Sequence, residues 1–135
     1  MAANSRFAVA VHIMMLLARH PEEYLSSERI AKSVNTNPVV VRRLLCKLCA
    51  KQLVHCRLGK RGGAALGSDA TRISLFDVYQ AVEEQGLFAQ HARPENPDCE
   101  ISCKMKKTLA KVFKQCEGAL ARNLKQTTIA ELVRR

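Results

Sequence analysis

The chemistry-bearing residues of this chain fall into two sets: the stretch NPVVVRR at residues 37–43, and six cysteines, of which Cys99 and Cys103 stand four residues apart. A guanidinium presents N–H donors in a rigid fork, so Arg42 and Arg43 suit acceptor-rich partners such as phosphate oxygens or the O6/N7 edge of guanine. Thiols offer metal ligation or redox exchange, depending on how readily they ionise. No nucleophile–base–orienter set, phosphate-cradling glycine loop or metal-ligand spacing accompanies them, so the pattern is that of a binding protein and not an enzyme.

The arginines need a rigid platform, and the flanking residues supply one. Asn37 is a good N-cap, and Pro38 suits the first helical position, where its missing N–H costs nothing. A helix over 38–50 turns Val41, Leu44, Leu45 and Leu48 inward, with Val39, Arg42, Arg43 and Cys46 on the opposite face. Upstream, FAVAVHIMMLLA at 7–18 is apolar almost all round, as in a helix buried on more than one side. Pro21 ends it, and Ser26 or Ser27 caps a short helix, SERIAKSV, with Ile30, Ala31 and Val34 inward.

Downstream, residues 53–66 read as a hairpin around GKRGG, with Lys60 and Arg61 at its tip. A helix over 73–84 carries a Ser74–Asp77 capping box and the stripe Leu75, Val78, Tyr79 and Val82. An irregular stretch, 86–98, precedes a long helix on which Met105, Leu109, Val112, Phe113, Cys116 and Leu120 recur at helical spacing. Asp98 is its expected N-cap, and Thr128 with Glu131 suggests a second capping box before the short closing helix.

This order predicts a mainly α fold with a small β wing: a winged helix–turn–helix plus a long C-terminal dimerisation helix. Helix 38–50 would read the major groove of double-stranded DNA. The residues assigned to contact are Ser27 and, on that helix, Asn37, Pro38, Val39, Arg42 and Arg43. Arg57, Lys60, Arg61 and Gly62 would act on the wing. Charge agrees with a polyanionic partner: the net charge is +10, and residues 1–70 carry 11 Lys/Arg against 4 Asp/Glu, residues 71–135 11 against 8. The 7–18 run is too short to span a bilayer and lacks a signal peptide's flanks, so a cytoplasmic protein without a membrane partner is expected. A winged helix that regulates by binding a protein partner is the alternative; its affinity would barely respond to salt.

The stretches NSRFAVAVHIMMLLA, SSERIAKSVNTNPVVVRRLLCKL, ISLFDVYQAVE and NPDC resemble, in order, landmarks of the Rrf-type bacterial winged-helix regulators, the IscR/NsrR/CymR group, nearest their YwnA branch. The resemblance covers nearly the whole chain. It implies a homodimeric transcriptional regulator, usually a repressor, whose long helix crosses to the partner subunit. Within one compact domain it divides the chain into a reading head (1–85), a sensor or linker loop (86–102) and a dimerisation region (103–135), with Met105, Leu109, Val112, Phe113, Cys116 and Leu120 at the dimer contact. Many members follow the wing glycines with an aromatic; here Ala64 follows Gly62-Gly63.

Cluster-binding relatives bring three cysteines to the segment before the long helix, whereas here only Cys99 and Cys103 lie there. A cluster normally takes four protein ligands, so no cofactor or metal is expected, and an iron–sulfur sensor stands as the less favoured alternative. Zinc at Cys99, Cys103 and His91 has no matching spacing. A thiol switch fits better: Cys99 at the start of the long helix, with Cys103 one turn on to resolve its oxidised form. Beside it stands the reading that both are unreactive. Cys46 and Cys49 read as packing or unreactive thiols, and Cys56 on the wing strand is given no role. Nothing in the sequence names the inducer.

Overall fold

The computed structural model describes residues 5–135. Among them lie six α-helices and one two-stranded antiparallel sheet: α1 (Ser5–Arg19), α2 (Ser27–Val34), α3 (Pro38–Ala50), β1 (Val54–Arg57), β2 (Gly63–Leu66), α4 (Leu75–Val82), α5 (Glu100–Leu124) and α6 (Ile129–Arg134), with a 3₁₀ turn at Ala70–Arg72. The chain is a mainly α winged helix–turn–helix carrying a long C-terminal helix. It forms two compact units, one comprising the chain up to Glu84 together with Leu124–Arg135, the other Gln85–Asn123. No helix among the described residues is long and apolar enough to cross a membrane.

The first unit is built on α1, whose Ala10, Ile13, Met14 and Leu17 are buried. Against it pack Ile30 and Ala31 of α2, Val41, Leu44, Leu45 and Leu48 of α3, and Val78 and Val82 of α4. Each is an inward position of the helical pattern, and burying the Val, Leu, Ile and Met side chains among them stabilises the fold by about 1.5–3 kcal/mol apiece. The turn between α2 and α3 depends on Asn35, which takes the left-handed conformation (φ 60°). Its N–H donates to Lys32 O while that of Thr36 donates to Ala31 O, closing the end of α2 with two of its orphan carbonyls paired.

Ser26, the first of the two candidate serines, caps α2 by accepting from Arg29 N at 3.1 Å. Ser74 and Asp77 form the capping box of α4 in both directions. The closing helix α6 returns to this unit: Ile129 is fully buried and its N–H donates to Ile73 O at 2.9 Å, while Leu75 N donates to Thr127 O. Thr128 Oγ1 accepts from Glu131 N, which is half of the anticipated box.

In the second unit a strand-free segment folds along α5. The Phe88 ring meets Phe113 at 4.9 Å between centroids, Leu87 N donates to Glu117 Oε1, and Gln90 Nε2 donates to Lys106 O. One expectation is corrected at the start of α5. Cys99, not Asp98, takes the capping position: its carbonyl accepts from Cys103 N and its sulfur accepts from Ser102 N at 3.4 Å. Asp98 N is instead held by Asn96 Oδ1, which turns the residue into the preceding turn. No residue along α5 is buried, and Ile101 and Val112 are 76% and 45% exposed.

Candidate nucleic-acid interface

Asn37 starts α3 as its sequence predicts. Its side-chain oxygen accepts from Val39 N at 2.8 Å, and Pro38 follows at the first helical position. The cap fixes the first turn, so Val39, 49% exposed, projects outward together with Arg42 and Arg43 while Val41, Leu44 and Leu45 anchor the opposite side. The two arginines differ in a way their adjacency conceals. Arg43 has no hydrogen-bond or ion-pair partner among the described residues. Arg42 reaches back to α2, donating from Nε to Ser27 Oγ at 3.2 Å and from Nη2 to Glu28 Oε1 at 2.7 Å. The Glu28 carboxyl is held below its ordinary range, first by its own main-chain N–H and further by the Arg42 fork. Ser27 therefore presents its hydroxyl to Arg42, and the pair is exposed enough to exchange for another acceptor.

The wing is the β1–β2 hairpin, in register from Val54↔Leu66 to Arg57↔Gly63. Ala64 sits fully buried at its centre and exchanges two main-chain hydrogen bonds with Leu25, so the position that follows the glycines points into the core. Gly62 and Gly63 are dictated by close approach. A Cβ on Gly62 would lie 2.1 Å from Arg57 O, and one on Gly63 2.3 Å from Leu25 O, where φ is also +147°. Lys60 and Arg61 are exposed at the tip. Arg57 braces the hairpin: its guanidinium carbon lies 4.1 Å from the Tyr24 ring centroid and its Nη2 donates to Arg61 O at 2.8 Å. Tyr24 in turn shares a 2.9 Å hydrogen bond with His55 Nδ1. This stack joins Tyr24 to two residues 31 and 33 positions further along the chain, and no local pattern signals it.

Between α3 and the wing runs an open groove of about 680 Å³, lined by Arg42, Ser27, Arg57 and Gly62 and by three thiols, Cys46, Cys49 and Cys56. All three cysteines are exposed and unbridged. Burial pushes the Cys56 thiol above its ordinary value, and the neighbouring Cys49 and Cys46 add to the rise. Their proximity was missed in sequence. The available signals were the three-residue spacing of Cys46 and Cys49 on one helix face and the two-residue spacing that puts Cys56 on the same strand face as buried Val54.

A family model described as iron-dependent transcriptional regulator, Rrf2, matches residues 3–135. The chain belongs to the Rrf2 family. YwnA of Bacillus subtilis (strain 168), assigned as an HTH-type transcriptional regulator, is 41% identical over 131 residues, 96% of each chain. A crystal structure described as that of a DNA-binding protein superposes with a TM-score of 0.76 at 36% identity, covering 94% of this chain and 97% of the other. A structure from Lactobacillus plantarum, described as a transcriptional regulator, reaches a TM-score of 0.80 at 27% identity, covering 94% and 86%. The family, YwnA and the Lactobacillus plantarum protein are described as transcriptional regulators.

The Rrf2 family's iron can be set against the thiols of this chain. Cys99 and Cys103 lie one turn apart, half-exposed, with Cys103 Sγ donating to Asn96 O at 3.4 Å. Cys116 is thirteen residues further along the same helix, about 20 Å along the axis at 1.5 Å per residue. Among the described residues no group of three or more His, Cys, Asp or Glu side chains is placed to hold a metal ion. Among the described residues, one chain does not bring together the four ligands a cluster normally takes.

Proposed function

We propose that this Rrf2 protein is a sequence-specific DNA-binding repressor that acts as a homodimer and is controlled by a thiol or small-molecule signal without a resident iron–sulfur cluster. The observation that carries the reading is the placement of a capped, outward-facing arginine helix and a hairpin with a free Lys60-Arg61 tip on either side of one groove. α3 would enter the major groove. Arg43, unpartnered, would fork onto a guanine, and Arg42 would exchange Glu28 for a base or phosphate. Asn37 and Val39 would supply an amide and a methyl contact, Pro38 would hold their turn, and Ser27 would keep Arg42 aimed. Lys60 and Arg61 would take phosphates, with Arg57 and Gly62 shaping the wing that carries them.

The dimer reading rests on α5. Met105, Leu109, Phe113, Cys116 and Leu120 are only half-covered and Val112 is exposed, on a helix of 25 residues. A second copy would cover this stripe and set two α3 helices about one DNA turn apart on a palindrome. Occupying a promoter as such a dimer is the means of repression.

The test is selection of binding sites from a random duplex pool, followed by titration of the recovered operator. Wild type should select a palindrome, and Arg43→Ala should lose base preference at one position in each half-site. Recovery of no sequence would refute the reading. Protein purified without oxygen should be colourless; a brown protein with stoichiometric iron would overturn the cluster-free part.

A further inference from the structure

The groove between α3 and the wing holds more thiol chemistry than a DNA-reading surface requires. After α3 the chain reverses through Gln52, which sits in the left-handed region at φ 62°, with Gln52 N donating to Cys49 O and Leu53 N to Leu48 O. That tight reversal sends β1 back past the end of α3. Val54 on β1 enters the core, so Cys56, two residues on and on the same strand face, is directed at α3. There it shares the groove with Cys49, and Cys46 one turn earlier on α3 lines it too. All three are exposed to a small reagent.

We propose that Cys49 and Cys56 form a dithiol–disulfide couple, oxidised by a low-molecular-weight disulfide, that locks the wing strand to the end of the recognition helix. The Cys49 thiolate attacks the reagent's S–S bond, giving a mixed disulfide and releasing one thiol. Cys56 then gives up its proton and attacks the Cys49 sulfur, expelling the second thiol. The protein loses two hydrogens, and both electrons reside in the two thiols released. Burial makes the Cys56 thiol hard to ionise, which suits it to the resolving step. Both thiols are unbridged, and a disulfide sets its sulfurs about 2.05 Å apart, so closure draws β1 towards α3. Arg57 and the tip move with β1, and the spacing between wing and Arg43 changes. This regulatory consequence rests on the DNA-binding reading above; the couple itself does not.

The experiment separates the two. Full-length protein is incubated with excess oxidised glutathione, the remaining thiols are alkylated, and the protein is digested with trypsin. Cleavage after Arg43, Lys47, Lys51 and Arg57 puts each of the three cysteines on its own peptide, 44–47, 48–51 and 52–57. The expected product is 48–51 joined to 52–57, two hydrogens lighter than the sum, abolished in C56S, which should instead keep glutathione on Cys49. In parallel, affinity for a short mixed-sequence duplex at low salt is measured before and after oxidation, and again after dithiothreitol. Wild type should shift by about fivefold or more and recover, the scale of an ordinary allosteric coupling, whereas C56S should not shift. Failure of 48–51 and 52–57 to join, their capture only as separate glutathione adducts, or zinc or iron holding these thiols as isolated, would overturn the couple. Joined peptides with unchanged duplex affinity would overturn its regulatory role. Joined peptides in a protein that binds no duplex in either state would uphold the couple and refute the DNA reading.

Discussion

Removing the two cations at the wing tip, Lys60→Ala with Arg61→Ala, tests the proposed interface with a magnitude that follows from the structure. Neither side chain has a partner among the described residues, both are exposed, and the hydrogen bond from Arg57 is accepted by the Arg61 main-chain oxygen, which the substitution keeps. Folding stability should therefore change by less than about 0.5 kcal/mol. If each cation neutralises one phosphate, a dimer loses four such contacts. The slope of log affinity against log salt should then become shallower by about 3.6, at about 0.9 per phosphate. Raising salt from about 50 to about 200 mM would shrink the wild type's advantage over the variant roughly 150-fold. The assay is fluorescence anisotropy on a labelled operator duplex at four or five salt concentrations, with a scrambled duplex beside it. Sequence preference should persist, because phosphate contacts position the protein and do not read bases. A slope change near 1.8 would mean that only one wing per complex reaches DNA. An unchanged slope would refute the wing assignment outright.

Further outcomes are expected at the recognition helix, the wing, α5 and the groove thiol. Glu28→Gln, which keeps an acceptor but removes the charge, should loosen Arg42 from α2 and raise operator affinity at neutral pH, whereas Arg43→Ala should cost about 1–3 kcal/mol of base discrimination; equal effects of Arg42→Ala and Arg43→Ala on base preference would contradict the difference seen in their partners. Gly63→Ala places a Cβ against Leu25 O at a φ of +147° and should lower unfolding stability by about 1–3 kcal/mol in urea melts, with no loss meaning that the hairpin relaxes freely. Val112→Glu should convert the proposed dimer to monomer in sedimentation velocity, since it sets a charge at the exposed Val112 on the apolar stripe of α5; an unchanged dimer would place the contact elsewhere. Because the Cys56 thiol is pushed above its ordinary value by burial, less of it is thiolate at any given pH. Its alkylation should therefore be slower than that of a free cysteine peptide at pH 8 and catch up only as pH rises past the usual thiol range. Faster alkylation would reverse the sign of the shift.

Much of the reading head was legible because its signals are local. A cap at Asn37 followed by Pro38, a Ser74–Asp77 box and an inward stripe at Val41, Leu44 and Leu48 each act within one or two turns, and the folded chain keeps all of them. The hairpin tip followed from the glycine-rich GKRGG turn, in which Gly62 and Gly63 leave no room for a Cβ. The start of α5 was misjudged for an equally local reason: Asn96 competes for the Asp98 N–H, so the turn closes one residue later and a cysteine takes the capping place. The family likewise came from sequence, since its landmarks lie in order along nearly the whole chain.

Tertiary structure decided the rest. That Arg42 is tied to Ser27 and Glu28 while Arg43 is free depends on how α2 packs on α3, across 14 and 15 residues of chain. The Tyr24–His55–Arg57 brace and the meeting of Cys46, Cys49 and Cys56 depend on a hairpin folding back past a helix end. Periodicity tells which way a side chain faces along its own element. It is silent on what another element brings to that face, and the chemistry of this protein's groove is made of such meetings.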